Sequence, residues 1–222
     1  MPSSRHCIRL TGASAPIAVG KIVCLARNYV AHAQELGNEV PAEPVLFIKP
    51  ASSLLADGGQ IRIPPYSSDC HHEVELALLI GRSGQAISAA NAMELVSGYG
   101  VALDMTLRDT QNRLKAKGLP WELAKGFDTA CPLSDFVPAD QVSDPHQLRI
   151  QLRVNGELRQ DGCSDCMIHR IPQLLSFISQ AFTLEPGDIV LTGTPAGVGP
   201  VVSGDVLEAS IDQVGQLRVS VA

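Results

Sequence analysis

His71-His72-Glu73-Val74-Glu75-Leu76-Ala77-Leu78-Leu79-Ile80 places an acidic pair on an otherwise apolar run. Aliphatic and β-branched residues fill the stretch and Gly81 closes it, which predicts one β-strand. Side chains alternate faces along a strand, so Glu73 and Glu75 point the same way. Two carboxylates side by side repel each other unless a cation or a proton lies between them. An apolar strand that carries such a pair into a fold therefore asks for a third party, and a divalent metal fits that need.

The chain around this stretch has 222 residues, enough for a substantial core in one large domain. Hydrophobic residues make up 45% and charged residues 18%, a globular composition too apolar for disorder. The net charge of −6 and the lack of a Lys/Arg cluster argue against nucleic acid as a partner. No window is long and apolar enough to cross a bilayer, and Met1 to Lys21 lacks a signal-type apolar core. These features predict a soluble, cytoplasmic protein. Six cysteines in a chain this long do not make a disulfide framework, and reduced thiols are expected.

Outward from the acidic strand, residues 1–20 form a lead-in with turn residues, expected to belong to the domain that residues 21–222 build. Lys21 to Ala26 and Val45 to Lys49 read as short strands, the second stopped by Pro50. Between them, Arg27 to Gly37 predicts a short helix with Asn28 as its N-cap and Gly37 as its stop. Ser88 to Val96 predicts a helix, Gly98 to Thr106 a strand that reaches Asp104, and Leu107 to Lys117 a second helix. Leu148 to Val154 alternates with period two, and Asn155-Gly156 signals a hairpin. Ile171 to Phe182 has an apolar helical face, and strands follow Pro186-Gly187-Asp188, Gly204-Asp205 and Val214-Gly215. No repeat, linker or boundary divides the chain, so one β-rich α+β domain is expected.

Glu73, Glu75 and Asp104 offer three oxygen ligands from two strands, a set that favours octahedral Mg²⁺ or Mn²⁺. Separately solvated strand-end carboxylates are the alternative. His32 and Glu35 stand three apart on one helical face, where the carboxylate can orient the imidazole for work on water. A surface His–Glu contact reads the same way. Lys125, in an apolar segment, either offsets the negative charge near a metal or snorkels to the surface. Cys163-Ser164-Asp165-Cys166 is a single pair without the second half of a zinc site. Thr192-Gly193-Thr194-Pro195-Ala196-Gly197-Val198-Gly199 lacks the signature of a phosphate loop and reads as a tight loop presenting N–H groups to a carboxylate.

These motifs combine. Arg27-Asn28-Tyr29-Val30-Ala31-His32-Ala33-Gln34-Glu35, Phe47-Ile48-Lys49-Pro50, His72-Glu73-Val74-Glu75, Asp104-Met105-Thr106-Leu107-Arg108-Asp109, Ala124-Lys125-Gly126-Phe127-Asp128 and the glycine-rich loop from Thr192 together resemble the fumarylacetoacetate hydrolase family. The resemblance is to its short single-domain members, acylpyruvate hydrolases and oxaloacetate decarboxylases, and runs from about Lys21 to the C-terminus. It implies a β-roll with short helices, a homodimer, and Mg²⁺ or Mn²⁺ held by Glu73, Glu75 and Asp104. It implies His32 and Glu35 as catalytic dyad, Lys125 against the bound substrate, and Arg27, Arg108, Gln111 and Thr192 as binding residues. The Cys163/Cys166 pair lies outside the family pattern. A small 2-oxo acid is the implied substrate, with acylpyruvate C–C hydrolysis expected first and oxaloacetate decarboxylation or 2-oxo acid tautomerisation as the alternative.

Overall fold

A computed structural model describes residues 6–37 and 39–222. Its largest sheet orders Val45–Lys49, Ile22–Ala26, Ile189–Leu191, Val74–Ile80, Val96–Leu103, Cys131–Leu133 and Leu54–Ala56 side by side, with Val137–Pro138 also paired to Val96–Leu103. Neighbours run antiparallel except at two places, where Ile189–Leu191 lies parallel to Ile22–Ala26 and Cys131–Leu133 parallel to Leu54–Ala56. A second sheet orders Glu157–Cys163, Arg149–Val154, Val206–Ile211, Gly215–Val221 and Gln60–Ile61. A three-stranded sheet joins Thr106–Leu107, Cys70–His72 and Gly199–Val201. The result is a curled, β-rich roll with few short helices.

Val74–Ile80 is buried at every residue because both faces of the large sheet are covered. Val74, Leu76, Leu78 and Ile80 join one core with Ile150, Leu152, Leu207 and Val219 of the second sheet. Ala77 and Leu79 join a smaller core with Ile22, Cys24, Phe136 and Ile8. A strand covered on both sides has no reason to alternate apolar and polar residues, which explains its continuous aliphatic run from Leu76 to Ile80. Arg149–Val154, in contrast, buries only one face and shows the period-two pattern. Asn155 and Gly156 both take positive φ, +52° and +81°, as a two-residue hairpin turn requires.

Four α-helices are described: α1 (Val30–Glu35), α2 (Arg108–Lys115), α3 (Glu122–Lys125) and α4 (Ile171–Ala181). α4 buries Ile171, Leu174, Leu175 and Ile178, the spacing of one helical face. The helix expected from Ser88 does not form. The backbone of Ala86 and Ile87 is bound to the end of α4, through Ala86 N–H to the Ser179 carbonyl (2.8 Å) and Ile87 N–H to Ser179 Oγ (2.9 Å). Those bonds pin the segment to α4 with Ala86 at φ +51°, and the chain then turns through residues 89–91 into a 3₁₀ turn, Ala92–Leu95, before the strand at Val96. α1 also starts differently, with Tyr29 rather than Asn28 at its N-cap. The Asn28 carboxamide is committed to other segments.

Candidate metal centre and active site

The acidic stretch is two strands, not one. Cys70–His72 belongs to the three-stranded sheet and Val74–Ile80 to the large one, so the chain changes sheets at Glu73. Its antiparallel neighbour changes at the same level, leaving Val96–Leu103 at Asp104 and entering Thr106–Leu107. Asp104 N–H bonds the Glu73 carbonyl at 2.8 Å across this double break. The paired bend directs two carboxylates to one point, and Glu75 on the following turn of the pleat completes the set. Carboxylate oxygens of Glu73, Glu75 and Asp104 lie within 4.8 Å of one another, and all three residues are buried.

Among the described residues, three cations pair with them. Lys125 Nζ donates to Glu73 Oε2 (2.9 Å), Asp104 Oδ2 (2.5 Å) and Thr106 Oγ1 (2.6 Å), and lies 4.9 Å from the centre of the Phe47 ring. Arg108 donates to Glu73 Oε1 and, 2.8 Å away, to Gln111 Oε1. Lys49, with no solvent exposure, stands 2.8 Å from Asp104 Oδ1 and donates to the carbonyls of Met105 (3.3 Å), Ala130 (3.0 Å) and Lys125. Burial alone would push the Glu73 carboxyl up, but the Lys125 and Arg108 charges outweigh it and hold the group well below the usual range. Burial also opposes the charge on Lys125, yet Asp104 and Glu73 push that ammonium up to about 12.

Glu75 is the exception. Burial and then the negative charges of Asp104 and Glu73 push its carboxyl well above the usual range, offset in part by the Gly193 N–H at 2.6 Å from Oε2. A buried carboxylate set that repels one of its own members fits a hard divalent cation, which oxygen ligands suit. Glu73, Glu75 and Asp104 are the residues that would hold it.

The cavity over this centre is about 170 Å³, a space for a small organic acid rather than a nucleotide, and Arg27, His32, Arg108, Gln111 and Lys125 all line it with the three carboxylates. His32 Nδ1 is 3.5 Å from Glu35 Oε2, and both Glu35 oxygens accept the Gly197 N–H, at 3.0 and 3.2 Å. Thr192 is not in the cavity. It is fully buried, and its hydroxyl donates to the Leu76 carbonyl at 2.9 Å. Thr194 lines the cavity instead, its hydroxyl accepting from Gln160 Nε2 at 2.8 Å. Lys49, Lys115, Asn112 and Trp121 were not singled out from the sequence. Only Lys49 gave a signal there, as a cation ending an apolar strand before Pro50. Cys163 and Cys166 are free thiols.

The family model for the fumarylacetoacetate (FAA) hydrolase C-terminal region matches residues 21–222. The chain belongs to the fumarylacetoacetate hydrolase family. Within the family it is 50% identical over 200 residues to the mitochondrial oxaloacetate tautomerase of Mus musculus, covering 90% of each chain. It is 52% identical over 192 residues to the mitochondrial oxaloacetate decarboxylase of Dictyostelium discoideum, covering 86% of this chain and 88% of that one. It is 48% identical over 202 residues to the oxaloacetate tautomerase YcgM of Escherichia coli, covering 90% and 92%. Among solved structures, fumarylpyruvate hydrolase from Pseudomonas aeruginosa, in complex with Mn²⁺ and pyruvate, superposes with a TM-score of 0.95 at 38% identity, covering 100% and 97%. Relatives from mitochondria and from a bacterium point to no single compartment, so the cytoplasmic expectation gains no support from them. Among the described residues no helix is long and apolar enough to cross a membrane.

Proposed function

We propose that the protein is a divalent-metal enzyme that interconverts the enol and keto forms of a small 2-oxo dicarboxylic acid, with oxaloacetate as substrate. The observation that carries this reading is the joint lining of one cavity, with three buried carboxylates and the cations Arg27, Arg108 and Lys115 in the same space. Mg²⁺ or Mn²⁺ at Glu73, Glu75 and Asp104 would supply Lewis-acid polarisation of the 2-oxo acid's oxygens. Arg27 and Lys115 then attract the second carboxylate of the substrate, which an acylpyruvate such as acetylpyruvate lacks.

Tautomerisation moves one proton from the C2 hydroxyl to C3 and breaks no bond between heavy atoms. We assign that proton to His32. Glu35 faces its Nδ1, so Nε2 is the nitrogen that serves the substrate. Lys125 has its donors engaged with Glu73, Asp104 and Thr106, so it acts as a fixed positive charge beside the enolate rather than as a proton donor. Decarboxylation of oxaloacetate passes through the same enolate and is the second reading, favoured by the Dictyostelium relative. Acylpyruvate hydrolysis, first among the expectations from sequence, ranks behind both. Relatives at 48% to 52% identity are named for oxaloacetate, whereas the fumarylpyruvate hydrolase is 38% identical.

The test offers the metal-loaded protein enol-oxaloacetate, keto-oxaloacetate and acetylpyruvate in parallel. Loss of enol absorbance, release of CO₂ and release of acetate are followed separately. Enol-to-ketone conversion is expected to be fastest, and His32→Ala to slow it by about 100-fold or more. Faster cleavage of acetylpyruvate than conversion of oxaloacetate would return the hydrolase reading to first place.

A further inference from the structure

Asn28 touches none of the groups described as reacting, yet its side chain is fully buried and spoken for at both ends. Its Oδ1 accepts the His169 N–H at 2.7 Å. Its Nδ2 donates to the Thr192 carbonyl at 2.8 Å and to the His169 carbonyl at 3.1 Å. Its own carbonyl accepts the Ile168 N–H at 2.8 Å. One carboxamide therefore ties together three stretches that are far apart in sequence: the lead into α1, the loop before α4, and the glycine-rich loop.

The two residues beside these bonds are held in unusual backbone states. Arg27, immediately before Asn28, has φ +60°, a left-handed conformation that a long L-residue adopts only where its surroundings enforce it. Arg27 also lines the cavity. Gly193, immediately after Thr192, has φ +93°, and a Cβ there would stand 2.7 Å from Asn28 Cβ. The same Gly193 gives its N–H to Glu75. On the other side of Asn28, Tyr29 pairs with Met167 and starts the helix that carries His32. Asn28 is thus the point where the strained arginine, the start of α1 and the glycine loop are fastened to one another.

We propose that Asn28 is a positioning residue: its carboxamide keeps Arg27 in its left-handed state and fixes the origin of α1, and so sets where Arg27 and His32 stand over the carboxylate cluster. This assignment rests on the proposed function for its consequence in catalysis, but its structural content stands apart from it. A side chain that sets position changes turnover because a displacement near 1 Å at the reacting groups costs up to about 100-fold. It leaves Glu73 and Asp104 in place, since they hang from the double strand break and not from α1, and Glu75, which accepts the Gly193 N–H, is the one metal ligand tied to the loop that Asn28 holds.

Two variants test this. Asn28→Asp keeps the size and the acceptor oxygen and removes both N–H donors, while Asn28→Ala removes every side-chain bond. Hydrogen exchange read peptide by peptide is expected to rise at least tenfold in residues 27–36 and to stay near wild type in Val74–Ile80 and Val96–Leu103. Mn²⁺ affinity, read by electron paramagnetic resonance on the purified protein, is expected to fall by a smaller factor than kcat does, because only Glu75 among the ligands is tied to the loop that Asn28 holds. The kcat for enol-oxaloacetate is expected to fall by about 10- to 100-fold. Unchanged exchange in residues 27–36 in both variants overturns the proposal, as does a uniform rise across the whole fold, which marks a merely structural residue. If the wild type converts no 2-oxo acid, the functional reading falls, and the exchange pattern still decides the role of Asn28.

Discussion

Replacing Lys125 with methionine probes the charge balance of the centre. Among the described residues, three buried carboxylates stand against three cations there, and of these cations Lys125 contacts two of the three acids. Methionine fills similar space and leaves Glu73 and Asp104 each short of one partner and Thr106 Oγ1 without its donor. Removing one member of a buried ion pair costs about 3–5 kcal/mol, because the remaining charge stays desolvated and unpaired. At about 2–4 °C per kcal/mol for a domain of this size, the chelator-stripped variant should melt roughly 6–20 °C below wild type. A divalent cation at Glu73, Glu75 and Asp104 restores positive charge at the same spot. At a hundredfold excess over Kd it should return about 2.7 kcal/mol, a large part of the loss. Differential scanning calorimetry with chelator and then with Mg²⁺ reads both numbers. A chelator-stripped Lys125→Met protein that melts within 2 °C of wild type would refute the charge arrangement described here (the threshold is about 1 kcal/mol).

Gly193→Ala should destabilise the fold by about 2–5 kcal/mol in urea titrations, combining a left-handed alanine with a forced contact on Asn28 Cβ. It should also weaken metal binding, since the Gly193 N–H fixes Glu75. Burial holds His71, His72, His146 and His169 below the usual imidazole range, so each favours the fold in its neutral form. Their contribution is fully present above the unfolded value of about 6.5 and is lost as pH falls through the lower folded values. His146 is the one to test, because its Nε2 accepts the Ile171 N–H at the start of α4. His146→Gln keeps an acceptor that cannot protonate, and its urea midpoint should fall less than that of wild type between pH 7 and pH 5.

Much of the fold was legible because local pattern and tertiary environment agree. Arg149–Val154 alternates since one face is wet, and Asn155-Gly156 turns since both residues tolerate positive φ. The paired carboxylates were legible for a different reason, namely that an apolar strand tolerates them only with a counter-charge. The strand break at Glu73 was not legible. It is fixed by the matching break at Asp104, and nothing in residues 71–80 announces it. Lys49 and Asn28 were missed or misread because their meaning lies in distant partners: Ala130 is 81 positions from Lys49, and Thr192 is 164 from Asn28. Asn28 has the residue type of an N-cap, and only the three-dimensional fold shows its carboxamide bound elsewhere. Thr192 and Thr194 are equivalent on paper. The backbone between them turns through a left-handed glycine, so alternation could not tell which one meets the cavity.

The central claim is that the Glu73, Glu75 and Asp104 cluster works on a 2-oxo dicarboxylic acid through a divalent cation. The most direct measurement is the rate of enol-to-keto conversion of oxaloacetate by chelator-stripped protein, before and after addition of Mg²⁺ or Mn²⁺, with Glu75→Gln alongside. The account predicts conversion near the uncatalysed rate without metal, full recovery on its addition to wild type, and little recovery in Glu75→Gln. Conversion that proceeds equally fast in chelator, or that returns undiminished in Glu75→Gln, would contradict it.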